Sequence, residues 1–181
     1  MSAETLRTAL DRIFDNPNDD AAWSDVEEVV TGSDGGSDVE RQLELARIRQ
    51  EQRRNWPVVA RLLELEVALD DDSVIMGAKH AELGRIYHEE LLLPDRAMES
   101  FELARELRPD DEKVKAGIAE IEFQRANIAA TLEQAFVEAL DSDDNSVRVP
   151  MLMRAAEMTF RYRRDDEAAR TQALDALRQA L

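Results

Sequence analysis

A period of 38 residues is the feature of this sequence that most constrains its fold. When the chain is aligned with itself at that offset, Leu45 falls on Leu83 and Leu83 falls on Ile121. Leu63 falls on Phe101 in the same way. Self-similarity at roughly 20 to 50 residues is typical of proteins that stack copies of one unit, because each unit buries its apolar face only against its neighbours. The period therefore predicts a repeat array.

Each unit of the array is predicted to be a pair of amphipathic helices. In the best-defined unit, apolar residues recur at helical spacing from Ser73 to about Leu92. Pro94 then opens a second helix, which ends before Pro109, since proline is tolerated in the first turn of a helix but not in its interior. The predicted fold is all-α, with antiparallel helical hairpins stacked as an α-solenoid. The predicted pairs span residues 37–69, 73–107, 111–141 and 147–181.

Two segments need a separate interpretation. In the pair at 111–141, the residues Thr131 to Gln134 match a capping box and predict the start of the second helix. Residues 1–36 are less regular and show two shorter helical stretches, followed by the Gly/Ser-rich segment TGSDGGSD. We expect residues 1–36 to form an atypical N-terminal helical cap and a flexible joint, and residues 37–181 to form the array.

The composition agrees with a helical protein and excludes several partners. Glycine and proline are rare, at 6 and 5 residues, and 44% of the chain is hydrophobic. The 23 basic and 40 acidic residues leave a net charge of −17, which repels phosphate backbones and anionic lipids, so we expect no nucleic acid and no membrane as partner. No segment approaches the ~18 consecutive apolar residues of a membrane span, and no signal peptide is apparent. We expect a cytoplasmic protein.

The unit at 73–107 carries the most specific motif of the chain. Its first helix contains Leu83, Gly84 and Tyr87, and its second helix continues the motif with Ala97, Phe101, Ala104 and Pro109. These residues resemble the tetratricopeptide repeat, although the step from Tyr87 to Ala97 is one residue longer and the period exceeds the family's ~34 residues. The resemblance implies a TPR-like right-handed superhelix whose first helices line a concave groove that binds peptides or partner proteins.

No residue set predicts a catalytic or metal centre. The chain has no cysteine, and His80 and His88 lie roughly 80° apart around one helix, which is poor geometry for sharing a metal. The segment DSDDNS at 141–146 alternates polar ligands like a calcium loop, but Leu152 stands where such a loop needs a bidentate glutamate. We interpret it as a turn, and we expect no enzyme activity, no cofactor and no bound metal.

A line of basic residues is the strongest candidate site. The residues that follow the small position of Gly84, at successive offsets of 38, are Arg47, Arg85, Phe123 and Arg161. One turn further lie Gln50, His88, Ala126 and Arg164. In the tetratricopeptide repeat family the first of these positions faces the groove, and arginine binds carboxylates through two parallel hydrogen bonds. The alternative is that these arginines neutralise glutamates at helical spacing, such as Glu51 and Glu82.

The predicted function follows from this line of residues. We expect a scaffold protein that binds a partner protein, or an acidic or C-terminal peptide, in a groove formed by Arg47, Gln50, Arg85, His88, Phe123, Arg161 and Arg164. The alternative is a structural protein that assembles with itself. Its C-terminal helix would provide the contact, because Ala173, Leu174, Leu177 and Leu181 share one apolar face.

Overall fold

The computed structural model of the chain describes residues 3–32, 36–163 and 166–180, apart from the side chains of residues 3, 161, 162, 179 and 180. In these residues the regular structure is helical, with no strand, which confirms the all-α prediction. The helices are α1 (Ala3–Asp15), α2 (Asp20–Thr31), α3 (Ser37–Gln52), α4 (Trp56–Leu69), α5 (Ser73–Arg85), α6 (Pro94–Leu107), α7 (Glu112–Leu140), α8 (Asn145–Tyr162) and α9 (Glu167–Ala180). A short π-helix, Ile86–Glu90, continues α5.

Aspartates in the turns begin several of these helices. Asp19 accepts a hydrogen bond from the backbone N–H of Ala22 at 2.9 Å, and this bond lowers the pKa of its carboxyl group. Asp72 and Asp144 accept equivalent bonds from Val74 and Ser146, each at 2.8 Å. Such caps satisfy N–H groups that the first turn of a helix leaves without a partner. The acidic segment 141–146 therefore contains the cap of α8.

The chain divides into two compact units, Met1–Ala119 and Glu120–Leu181. In the first unit, α1 to α4 share one apolar core that includes Leu6, Trp23, Leu43 and Leu62. Helix α1 packs against both α2 and α3, so the helices of the predicted cap belong to the same core as the hairpin that follows. The predicted flexible joint falls partly on residues 33–35, which lie outside the described residues.

Phe101 is the centre of the contact between α5, α6 and α7. Its side chain is 5% exposed and lies against Gly84 on α5 and Gly117 on α7. A Cβ atom at Gly84 would lie 2.5 Å from Phe101 Cδ1, and one at Gly117 would lie 2.6 Å from Cζ. Glycine is therefore required on both sides of the ring. The offset of 38 aligned Glu122 with Gly84 and did not reveal the close approach at Gly117.

The predicted helix break at Thr131 is also wrong, because α7 runs without interruption from Glu112 to Leu140. Thr131 does not cap a helix, and its Oγ1 donates to the carbonyl oxygen of Asn127 one turn earlier, at 2.8 Å. Neither glycine nor proline occurs between Gly117 and Pro150, so nothing in the covalent chain ends the helix there. The third predicted hairpin is thus one long helix.

The π-helix explains the long step between Tyr87 and Ala97. Within it, the N–H of Leu91 donates to the carbonyl oxygen of Ile86 at 3.0 Å, five residues back. A π-turn holds one residue more than an α-turn. The extra residue is absorbed there, and Tyr87 and Ala97 are both buried, at 3% and 0% exposure.

The second unit has a core of its own. It is formed by Phe136, Leu152, Ala156 and Ala173, together with neighbouring alanines of α7, α8 and α9. Ala156 is 1% exposed, whereas Phe160, which the offset of 38 placed at the small position of this unit, is only partly buried. None of the described helices combines the length and the apolar character needed to span a membrane.

Replacement of Gly84 by alanine tests the contact with Phe101. An alanine in place of glycine inside a helix normally stabilises by about 1 kcal/mol. Here we expect Gly84→Ala to lower the free energy of unfolding by ~1–3 kcal/mol, because the ring is held by Gly117 on its other side. Chemical denaturation measures the change. In a Phe101→Ala background the same substitution should stabilise, and an equal loss in both backgrounds would show that the ring is not the obstacle.

Candidate functional site

Arg47, the first residue of the predicted groove, is held by carboxylates of its own unit. Its Nε lies 2.7 Å from Glu66 Oε1, and its Nη1 lies 3.9 Å from Glu51 Oε2. The side chain of Arg47 is 19% exposed and that of Glu66 is 5% exposed. This ion pair connects α3 to α4 and is largely removed from water.

Glu66 is the most buried member of this charged cluster. Burial raises the pKa of its carboxyl group, against the opposing effect of the Arg47 hydrogen bond. Lys79 on α5 donates to the backbone oxygen of Glu66 at 3.1 Å and to Asp70 Oδ2 at 2.9 Å, and the second bond lowers the pKa of Asp70. The cluster thus connects α3, α4 and α5, and the role of Arg47 in it is structural.

Gln50 is not part of any exposed groove, so this prediction is wrong. The residue is 2% exposed, and its Oε1 accepts a hydrogen bond from Asn55 Nδ2 at 3.1 Å. Its backbone oxygen also accepts bonds from the N–H groups of Arg53 and Asn55. Through these hydrogen bonds the buried Gln50 stabilises the tight turn between α3 and α4.

Arg85 is surrounded by acidic side chains. Its guanidinium lies 2.7 Å from Glu82, 3.2 Å from Glu89 and 3.6 Å from Glu90. Three carboxylates around one guanidinium leave a local excess of negative charge, which opposes the binding of an acidic ligand. This arrangement favours the alternative interpretation, in which the arginines neutralise nearby glutamates.

Of the other predicted residues, the structure describes the side chains of His88 and Phe123. His88 is half-buried in the π-helix, and Phe123 is 63% exposed on α7 in the second unit. The side chain of Arg161, and Arg164 as a whole, lie outside the described residues. The structure therefore supports a structural role for Arg47 and Gln50 and an acidic environment for Arg85.

A groove between α1 and α3 presents a different arrangement of charges. Its volume is about 620 Å³. The lining residues are Arg7, Leu10, Asp11, Asp38, Arg41, Gln42, Leu45, Ala46 and Arg49. Leu10 and Ala46 belong to the core beneath it, and Leu45 is 52% exposed. The groove thus combines an apolar base with charged walls.

Helices α1 and α3 run in the same direction along this groove. Arg49 Nη1 lies 3.1 Å from Asp11 Oδ1, and Arg53 Nη1 donates to the backbone oxygen of Phe14 at 3.0 Å. The paired residues are 38 and 39 positions apart in the sequence. Such a nearly constant separation indicates parallel helices, because between antiparallel helices the separation would change from one contact to the next. The guanidinium groups of Arg49 and Arg53 also lie 4.3 Å and 3.6 Å from the centre of the Phe14 ring, so cation–π contacts join the C-terminal ends of α1 and α3.

Two arginines of the groove have no acidic partner. Arg7 and Arg41 are exposed, and neither forms a hydrogen bond or ion pair with any residue that the structure describes. Asp11 is paired with Arg49, and Asp38 accepts a hydrogen bond from Gln42 Nε2 at 2.8 Å. Arg7 and Arg41 are therefore available to bind a carboxylate from outside.

Comparison of the chain with protein-family models, with curated proteins and with solved structures finds no match. In the described part of the chain, no group of three or more histidines and carboxylates is placed to hold a metal ion. The site is therefore interpreted from its own geometry.

Replacement of Arg47 by methionine tests the structural role of the Glu66 ion pair. At neutral pH we expect Arg47→Met to destabilise by ~3–5 kcal/mol, because Glu66 is left buried and charged without its partner. A carboxyl group with a raised pKa in the folded state binds its proton more tightly when folded. The contribution of the Glu66 carboxyl group to the free energy of unfolding therefore increases as the pH falls from neutral towards ~4.3, the pKa of a glutamate in the unfolded chain.

The free energy of unfolding at pH 7 and pH 5 measures this effect. The loss in Arg47→Met should be smaller at pH 5 than at pH 7, because protonation of Glu66 removes the unpaired buried charge. The double variant Arg47→Met with Glu66→Met should recover most of the stability at both pH values. An equal loss at both pH values in the single variant would contradict the assignment of the cost to a buried charge.

Proposed function

We propose that this chain is a scaffold that binds an acidic segment of another protein in the groove between α1 and α3. The observation that carries the proposal is that Arg7 and Arg41 line this groove without an acidic partner among the described residues, in a chain with 40 acidic and 23 basic residues. Arg12, Arg61 and Arg85, by contrast, each pair with at least one carboxylate. Arg105 also has no carboxylate partner among the described residues, but Arg7 and Arg41 differ from it because they line a groove with an apolar base.

The chemistry of the groove indicates the class of ligand. Guanidinium groups bind carboxylates through two parallel hydrogen bonds, which fix orientation as well as charge. Leu10, Leu45 and Ala46 provide the apolar surface on which an aliphatic side chain of the same segment packs. A volume of about 620 Å³ lies within the range of sites that take several side chains or a small molecule. We infer a segment in which acidic residues flank an aliphatic one.

The arrangement of the helices supports the same proposal. Helices α1 and α3 are the first helices of the consecutive hairpins α1–α2 and α3–α4, and they contact each other side by side. This is the relation between first helices in a tetratricopeptide-like solenoid, which we propose as the architecture of the first unit. In such an array the first helices line the binding face. The proposed site then lies between α1 and α3, whereas the line predicted from the sequence runs from Arg47 on α3 to Arg85 on α5.

A labelled peptide of alternating glutamate and leucine provides the test. We expect fluorescence anisotropy to show binding to the full chain, and a peptide with glutamine in place of glutamate to bind at least about tenfold more weakly, a difference of ~1.4 kcal/mol. Arg7→Glu and Arg41→Glu should each reduce the affinity by about tenfold or more, because reversal adds repulsion to the lost attraction.

Arg105→Glu is the matched control, since Arg105 is exposed on α6, away from the groove, and the substitution changes the net charge equally. It should leave the affinity within about twofold, a change typical of a charge outside the contact. If Arg105→Glu weakens binding as much as Arg41→Glu does, the interaction is a diffuse charge effect and the groove is not the site. If Arg85→Glu is the more harmful variant, the ligand binds along the line predicted from the sequence instead.

A further inference from the structure

Asp38 and Arg41 line the groove between α1 and α3 and lie three residues apart on α3, yet they form no ion pair. The same order and spacing does produce ion pairs in other described helices. These pairs are Glu82–Arg85, Glu112–Lys115 and Asp175–Arg178, with distances of 2.7, 2.9 and 2.9 Å. Some feature of the groove therefore directs the carboxylate of Asp38 away from Arg41.

Gln42 is the residue that binds Asp38 instead. Its Nε2 donates a hydrogen bond to Asp38 Oδ2 at 2.8 Å. Arg41 and Gln42 lie three and four residues after Asp38, so both positions face the same carboxylate on the helix surface. In the structure the carboxylate is bonded to the neutral amide, and the guanidinium of Arg41 is left to the groove.

The amide of Gln42 adopts this orientation at a cost. Its Oε1 is buried and accepts no hydrogen bond from any residue that the structure describes. A buried acceptor without a donor destabilises a fold. The opposite orientation of the amide would turn Oε1 towards the negatively charged Asp38, so it offers no relief. Such exceptions to polar satisfaction are expected at functional sites, where stability is not the only requirement.

The opposite wall of the groove has a corresponding arrangement. Asp11 lies four residues after Arg7 on α1, and this spacing also permits an ion pair. The carboxylate of Asp11 is instead 3.1 Å from Arg49 Nη1 on α3. On each wall, the aspartate that lines the groove is thus held by another side chain, and an arginine remains without a carboxylate among the described residues.

We propose that Gln42 is a positioning residue of this site, which keeps Asp38 from pairing with Arg41 and so leaves Arg41 open to the carboxylate of a ligand. The inference rests on the proposed function, since it concerns the same groove and the same class of ligand. Asp38 is then an internal competitor of that ligand. If the bond from Gln42 is lost, Asp38 pairs with Arg41, and an incoming carboxylate must displace it.

The reactivity of Arg41 towards phenylglyoxal tests the positioning role without any ligand. The reagent attacks guanidinium groups, and mass spectrometry of proteolytic fragments of the full chain gives the rate for each arginine. We expect Arg41 to react as fast as the exposed Arg105 and faster than Arg85, which is held by carboxylates. Gln42→Met should slow Arg41 by about threefold, the effect of one exposed ion pair, and Asp38→Asn in addition should restore the rate.

Binding of the labelled peptide of alternating glutamate and leucine provides the second readout. Gln42→Met should weaken binding by about threefold, whereas Asp38→Asn should strengthen it, because the competing charge is removed. In the Asp38→Asn background, Gln42→Met should not change the affinity. Chemical denaturation should show no loss of stability in Gln42→Met, because the substitution removes the buried acceptor together with the bond.

Gln124→Met is the matched control, because Gln124 Nε2 donates to Glu120 Oε1 at 2.7 Å across the same interval of four residues on α7. It should change neither the rate of Arg41 nor the affinity. An unchanged rate of Arg41 in Gln42→Met would overturn the positioning role. So would an equal loss of affinity with and without Asp38, since Gln42 would then contact the ligand itself. If the rates of Arg41 change as expected but the wild-type chain does not bind the peptide, the proposed function fails and the positioning role stands.

Discussion

The aromatic ring of Phe101 between two glycines is the contact on which the packing of α5, α6 and α7 depends. Because no Cβ atom fits at Gly84 or Gly117, the backbones of α5 and α7 approach the ring from both sides, and α6 holds it between them. The π-helix serves the same contact, since it takes up an extra residue while Tyr87 and Ala97 remain buried. Close approach of helices, rather than a large aromatic core, thus stabilises a chain in which aromatic residues are only 5%.

The excess of acidic residues gives several arginines of the chain a partner within the protein. Arg47 is placed opposite a buried glutamate, where the cost of desolvating both charges is offset only if the pair is complete. Arg85 is enclosed by three carboxylates, and Arg49 and Arg53 stack on Phe14. These residues have their electrostatic requirements met inside the protein. Arg7 and Arg41 have no such partner among the described residues and line a groove with an apolar base, which makes the groove between α1 and α3 a better candidate site than the predicted line of Arg47 and Arg85.

The sequence predicted the helical class and the hairpins near 37–69 and 73–107, because their ends carry strong local signals such as Pro94 and Ser73, although the capping residue is Asp72. It did not predict the continuity of α7, since a Thr-x-x-Gln pattern occurs inside helices as well as at their starts. Nor did it predict the burial of Arg47, whose partner Glu66 lies on another helix, where no local spacing reveals it. The groove had a usable signal: the offset of 38, extended into residues 1–36, places Asp11 on Arg49, the pair that the structure joins.

The π-helix at Ile86–Glu90 also makes one point of this chain tolerant of changes in length. Loss of a residue inside a regular helix rotates every later side chain by about 100°, which moves buried residues to the surface. Loss of one residue within the π-turn would instead convert it into an ordinary α-turn, and the helical faces on both sides would keep their orientation. A homologue one residue shorter at this point would therefore have the same core, with Tyr87 and Ala97 still buried, and insertions or deletions between related chains are expected to concentrate here.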